Sequence, residues 1–411
     1  MVEVHRVISI RFGKGSRQPS DRKKGRLPKV CAFGCVLLGL TNKICPTVVY
    51  TESYRDFKRN VFYAFFGSTR VLKREVCRKT LFLSFLCRHT YTIKMKNFIT
   101  IQKQLPISGK KGYFMKTPIF TGAATALITP FRNHHVDYEA FGHIIDEQLK
   151  AGIDALVVCG TTGEASTLTD DEQISVIEFA VKRVSGRVPV IAGAGSNDTE
   201  HAIRLCKRSC EVGADALLIV TPYYNKTSQR GLIHMYTRIA DSVNKPIILY
   251  NVPSRTGVNI EPETYAALAD HPNINAIKEA SGNFSKLVET VSLVGDKLAV
   301  YSGNDDQVVP MLALGAKGVI SVLSNVLPAE TSEMCKRFFR GDVKGSASMQ
   351  CEYLPLINAL FSDVNPIPVK EAMAMLGYCT SEMREPLYNM EESKKENLRR
   401  KLIAAGLDAK N

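Results

Sequence analysis

The residue whose placement says most about chemistry is Lys278, which closes an apolar run over residues 274–277. Lys245, Lys297 and Lys317 instead stand before the apolar runs that follow them. An amine held among apolar side chains loses part of its preference for charge and becomes a nucleophile toward a carbonyl. A plainer reading has Lys278 snorkelling to a rim or pairing with Glu279, and position alone leaves both open. Other groups suited to lysine–carbonyl chemistry follow other apolar runs. Tyr250 ends one, Tyr223 and Tyr224 follow another, and Thr161 and Thr162 lie in the turn Gly160-Thr-Thr-Gly-Glu164. Schiff-base formation moves protons repeatedly to and from a carbinolamine, and a chain of hydroxyls can relay them. Arg255, in Pro253-Ser-Arg-Thr-Gly257, offers a planar fork for a carboxylate. Taken singly, a tyrosine there could equally be packing and the arginine a surface residue. His134, His135, His143, His201, His234 and His271 show no ligand spacing with carboxylates, so no metal site is expected.

These residues need a scaffold that gathers the ends of many short segments. Eight apolar runs rich in Val, Ile, Leu and Ala occur at 123–128, 155–158, 188–192, 216–220, 246–250, 274–277, 298–301 and 318–322. Such runs read as strands buried on both faces. Helical patterns alternate with them at 138–149, 172–184, 200–212, 229–243, 262–269, 284–294 and 306–314. Thr169-Asp-Asp-Glu172 has the spacing of a capping box, and Pro262 suits a first helical turn. The fold class expected is α/β, a (β/α)8 barrel over residues 116–340, with 328–340 as its last helix. A doubly wound sheet that binds a dinucleotide would need three spaced glycines after its first strand. Gly193-Ala-Gly195 lacks the third and closes the third strand instead. Residues 341–411 read as an appendage of about three helices. In a barrel the active site lies where strands end, which places Lys278, Tyr250, Thr161, Thr162 and Arg255 on one face.

Charge divides the chain in two. Of its 411 residues 45% are hydrophobic and 23% charged, a globular composition that excludes wholesale disorder, collagen-like repeats and coiled coils. No stretch reaches the ~18 apolar residues of a membrane span. The net charge of +14 is concentrated in residues 1–115, which hold 24 of the 54 Lys and Arg but only 5 of the 40 Asp and Glu. The remaining 296 residues carry 30 basic and 35 acidic side chains, so neither a nucleic acid nor a membrane partner is expected of them. The basic segment fits no secretory signal, because its apolar stretch at 31–40 begins late and lacks a cleavage site. It has the charge of a transit peptide but little Ser. Cys31, Cys35 and Cys45 lack the second close pair of a zinc site. Gly109-Lys-Lys-Gly-Tyr-Phe-Met115 is what a purine-rich ribosome-binding stretch followed by a start codon would spell. Residues 1–115 are therefore expected to be no folded domain, but an upstream start assigned in error or a targeting segment. Six later cysteines without tight pairing suit a reducing compartment, hence a cytoplasmic location, or a plastid if residues 1–115 were a transit segment.

From about Phe120 to Leu407 the sequence resembles the pyruvate-dependent class I aldolases, the family of dihydrodipicolinate synthase and N-acetylneuraminate lyase. The resemblance rests on four motifs in family order: Gly160-Thr-Thr-Gly-Glu164, Tyr250-Asn-Val-Pro-Ser-Arg-Thr-Gly257, Ile277-Lys-Glu-Ala-Ser-Gly282 and Asn365-Pro-Ile-Pro-Val-Lys370. Residues 1–115 have no counterpart in it. The resemblance implies that Lys278 forms the Schiff base with pyruvate. Tyr250 would be the main acid and base, relaying protons through Thr161 and through Tyr224 of a neighbouring subunit. Thr162 would hold the pyruvate carboxylate, with Gly303 and the Ile320 carbonyl lining the pocket. Arg255 would receive the carboxylate of L-aspartate 4-semialdehyde, and that cationic anchor favours the synthase reaction over cleavage of a sialic or keto-deoxy sugar acid. No metal or organic cofactor is implied, and the usual assembly is a homotetramer of tight dimers with Tyr224 contributed across the tight dimer. At the lysine feedback site of some members, this chain keeps Asn197 and Tyr223 but carries Asp170, Gln173 and His201, which predicts weak or absent inhibition by lysine. A non-catalytic regulatory relative is the remaining class, and the complete relay argues against it.

Overall fold

Strands buried on both faces pair in parallel, and a chain that alternates them with helices closes them into a ring. The computed structural model describes residues 116–410, together with two short strands, Val36–Leu38 and Cys45–Thr47, that pair antiparallel. Apart from that pair, the expectations for residues 1–115 fall outside the described residues. The chain divides into two units, residues 1–108 and 109–411.

Eight strands form the barrel: β1 (Gly122–Ala126), β2 (Ala155–Val158), β3 (Val190–Gly193), β4 (Ala216–Val220), β5 (Ile247–Asn251), β6 (Ile274–Glu279), β7 (Ala299–Ser302) and β8 (Gly318–Ser321). Each pairs in parallel with its sequence neighbour, and β8 returns to β1. Gly318 permits that closure, because its φ is +154° and a Cβ there would collide with the Gly122 carbonyl. Two boundaries depart from the apolar runs for physical reasons. The run at 188–192 becomes strand only after Pro189, which has no N–H to donate. The run at 274–277 continues through Glu279, so Lys278 is a paired strand residue rather than the first residue beyond one.

Helices alternate with the strands: α1 (Tyr138–Lys150), α2 (Asp170–Val184), α3 (Thr199–Glu211), α4 (Gln229–Asp241), α5 (Pro262–Leu268), α6 (Phe284–Val294), α7 (Val308–Ala313) and α8 (Pro328–Phe339). Three more follow, α9 (Val343–Leu360), α10 (Ile367–Met375) and α11 (Glu392–Ala404). Their apolar faces, including Leu356, Val369 and Leu402, join the same buried layer as the outward side chains of the barrel strands. Alternation along each strand sorts the core in two. Ala124, Val157, Ile191, Leu218, Ile248 and Ala276 fill the barrel, while Leu156, Leu217, Leu249 and Ile277 face the helices. Phe120 stacks on Tyr301 with ring centroids 4.2 Å apart, and its carbonyl accepts the Tyr301 hydroxyl at 2.8 Å. None of the described helices is long and apolar enough to cross a membrane.

The capping box at the start of α2 is present, with Glu172 Oε2 accepting the Thr169 N–H at 2.9 Å. Glu172 has a second task, because the Arg384 guanidinium binds both its oxygens, at 2.6 and 2.8 Å. Those hydrogen bonds from Arg384, aided by Thr169, hold its pKa at about 2, below the ordinary 4.5. A carboxylate depressed in the folded state stabilises fully above its unfolded pKa and loses that contribution as pH falls toward the folded one. A Glu172→Gln variant therefore melts below the wild type at pH 7, and the gap closes between pH 4.5 and about 2. Melting curves across that range check this, and a gap as wide at pH 2.5 as at pH 7 would refute it.

Candidate active site

Strand parity and register assemble the centre of the site. Lys278 shares its face with Ala276, so its side chain points into the barrel, while Ile277 and Glu279 turn to the helices. Lys278 and Tyr250 are direct partners across β6 and β5. The Lys278 Nζ lies 4.3 Å from the centroid of the Tyr250 ring, and the two residues are 6% and 7% exposed. Pairing of Lys278 with Glu279 is ruled out by parity. The Glu279 carboxylate instead takes Asn251 Nδ2 at 3.1 and 3.2 Å, the Ser281 N–H at 2.7 Å and the Tyr265 hydroxyl at 3.4 Å. Just past the end of β7 the chain must be small beside the lysine. A Cβ at Gly303 would stand 2.8 Å from that of Ala280 and 3.1 Å from Lys278 Cε.

A cavity of about 430 Å³ opens above Lys278. Among the residues anticipated from the sequence, Thr161, Thr162, Tyr250, Arg255, Lys278 and Gly303 line it. Ile320 belongs to the layer that fills the barrel, and Val322, two residues on and of the same parity, reaches the cavity wall. Tyr224 lies outside the wall in the single chain, 92% exposed and at φ +68°, a conformation costly for an aromatic residue. Arg255 stands on a helical turn, Pro253–Thr256, directly after β5, and its Nη2 donates to the Asn365 carbonyl at 2.8 Å.

The threonine turn is held at several points. Gly163 N–H donates to the Gly160 carbonyl and Glu164 N–H to that of Thr161, both at 3.1 Å, and the Thr129 hydroxyl donates to Gly163 at 2.7 Å. Glu164 then takes a left-handed conformation, φ +55°, and its carboxylate meets the Lys370 ammonium of α10. Both side chains are buried, and Lys370 also lies 4.0 Å over the Phe131 ring. Burial lowers the Lys370 pKa and the Glu164 charge opposes that shift.

The sequence motifs did not reveal the C-terminal wall. Phe361, Asp363, Val364 and Asn365, between α9 and α10, close one side of the cavity, and Asn365 Nδ2 donates to Thr162 Oγ1 at 3.1 Å. Asn365 opens the motif Asn365-Pro-Ile-Pro-Val-Lys370, but nothing in the motif ties it to Thr162. Asp305 was also missed. Its Oδ2 accepts the Val322 and Leu323 N–H groups at 2.9 and 3.0 Å, fixing the loop that carries Val322. Burial pushes its carboxyl pKa up, against the hydrogen bonds it accepts and the charge of Lys278.

A second cavity of about 340 Å³ shares Thr161, Tyr250 and Arg255 with the first, and Asp170, Gln173, His201 and Tyr223 line it. The His201 ring is engaged at both nitrogens, by Asp170 at 2.8 Å and Ser196 at 3.1 Å. Among the described residues no cluster of His, Cys, Asp or Glu could hold a metal ion.

The chain is 53% identical over 294 residues to a 4-hydroxy-tetrahydrodipicolinate synthase of Caldicellulosiruptor saccharolyticus, covering 71% of this chain and 99% of the relative. It is similar to the crystal structure of dihydrodipicolinate synthase from Aquifex aeolicus, with a TM-score of 0.70, 47% identity, and 71% and 100% of the two chains covered. A monomeric dihydrodipicolinate synthase variant is also similar, with a TM-score of 0.69, 42% identity, and 70% and 98% covered. A family model described as the dihydrodipicolinate synthetase family matches residues 119–405, and the chain belongs to that family.

Proposed function

We propose that the chain condenses pyruvate with L-aspartate 4-semialdehyde to 4-hydroxy-tetrahydrodipicolinate, in the diaminopimelate route to lysine. The observation that carries this reading is a buried lysine beside a tyrosine at the top of a barrel, with Arg255 on the same cavity. The Lys278 amine adds to the pyruvate carbonyl, and loss of water leaves an iminium. Removal of a methyl proton gives the enamine, which attacks the aldehyde. The amino group of the adduct then displaces Lys278 and closes the ring. Tyr250 supplies and takes the protons, passing them through Thr161 and through Tyr224 of a second copy of the chain. Thr162 holds the pyruvate carboxylate, beside Gly303 and the Ile320 carbonyl, and Arg255 grips that of the aldehyde.

A second copy is supported by Tyr224, whose ring is left exposed by the described residues. We therefore place the enzyme in a homotetramer of tight dimers. Its compartment is the cytoplasm, a reading supported by six free thiols in the described residues.

The test is product formation by the purified full chain. Pyruvate with L-aspartate 4-semialdehyde gives product, and N-acetylmannosamine in its place gives none; the reverse preference would overturn the assignment. Arg255→Ala raises the KM for the semialdehyde about thirtyfold, from loss of a charge-assisted carboxylate contact, and leaves that for pyruvate nearly unchanged. Equal KM values for wild type and variant would remove Arg255 from its assigned role.

A further inference from the structure

Asn365 lies outside the barrel, between α9 and α10, yet its side chain reaches across to Thr162. A hydroxyl has one proton to give and two lone pairs that accept. Since Asn365 Nδ2 donates to Thr162 Oγ1, one lone pair is taken and the hydroxyl proton must point elsewhere. Among the described residues none accepts that proton. Thr162 lines the cavity, so an anion there is the available acceptor. With the amide in this sense Nδ2 is engaged, while Oδ1 is buried without a hydrogen-bond partner.

Asn365 is itself anchored on two sides. Its backbone carbonyl accepts Arg255 Nη2, and five residues on, Lys370 pairs with Glu164 in the turn that carries Thr162. One short segment from beyond the barrel thus touches two loops, and each of those loops presents a carboxylate-binding group.

We propose that Asn365 is a positioning residue that fixes the donor sense of Thr162, keeping its proton directed at the pyruvate carboxylate. This rests on the aldolase reading above. In an Asn365→Asp variant the new carboxylate accepts the Thr162 proton, and the hydroxyl turns from donor to blocked neighbour. The Arg255 contact uses the backbone carbonyl of residue 365 and survives the change, which gives an internal control.

The experiment measures KM for both substrates, and pyruvate-dependent borohydride labelling, in the full chain and its variants. Asn365→Asp raises the pyruvate KM about tenfold or more, the scale of a lost hydrogen bond to a charged group, while the semialdehyde KM stays within about threefold. Asn365→Ala raises the pyruvate KM less, and that rise disappears in a Thr162→Val background, because the two residues act through one contact. Equal rises in both KM values, an Asn365→Ala effect undiminished in the Thr162→Val background, or an unchanged pyruvate KM would each overturn the proposal. A wild-type chain that pyruvate and borohydride fail to label would instead overturn the functional reading beneath it.

Discussion

Replacing Lys278 by alanine lowers kcat for the condensation about 10⁵-fold, the scale on which a covalent nucleophile acts. The fold survives, because the truncated side chain leaves its space beneath an existing cavity rather than inside a packed layer. Lys278→Arg fares no better, since a guanidinium keeps its proton and cannot add to a carbonyl. Retained activity in either variant would mean that the lysine is structural. The parity of β6 argues against that role, because the neighbouring carboxylate of Glu279 faces the other way and is fully engaged with Asn251, Ser281 and Tyr265.

The largest expected loss of stability comes from Lys370→Met. The substitution leaves the Glu164 carboxylate in an interior where it was matched to an ammonium. Breaking one side of a buried pair costs about 3–5 kcal/mol, whereas removing both charges together is close to neutral. The single variant therefore melts some 10 °C lower, at roughly 2–4 °C per kcal/mol for a chain of this size. Glu164→Gln combined with Lys370→Met recovers most of that loss. Thermal denaturation of the three chains decides the matter: a double variant no more stable than the single one would mean the pair is not the source of the effect.

The barrel was readable because its signals are local. Each apolar run contains its own strand, and the Thr169–Glu172 box marks its own helix start. Lys278 could be singled out for the same reason, since its place at the end of a run fixes the face on which it lies. The residues that sequence reasoning missed are joined to the site only by packing. Asn365 meets Thr162 across 203 positions, and Lys370 meets Glu164 across 206. Asp305 holds the Val322 loop from the end of another strand. No periodicity spans such distances. Tyr224 is exposed in the single chain, and the role proposed for it, against a second copy, is one that a single sequence cannot display.

The central claim is that Lys278 forms a covalent iminium with pyruvate. Incubating the full chain with pyruvate, reducing with borohydride and mapping the peptides by mass spectrometry tests it most directly. A reduced pyruvyl group on Lys278, absent without pyruvate and absent from Lys278→Ala, is the result expected. Labelling at another lysine, or none at all, would contradict the account.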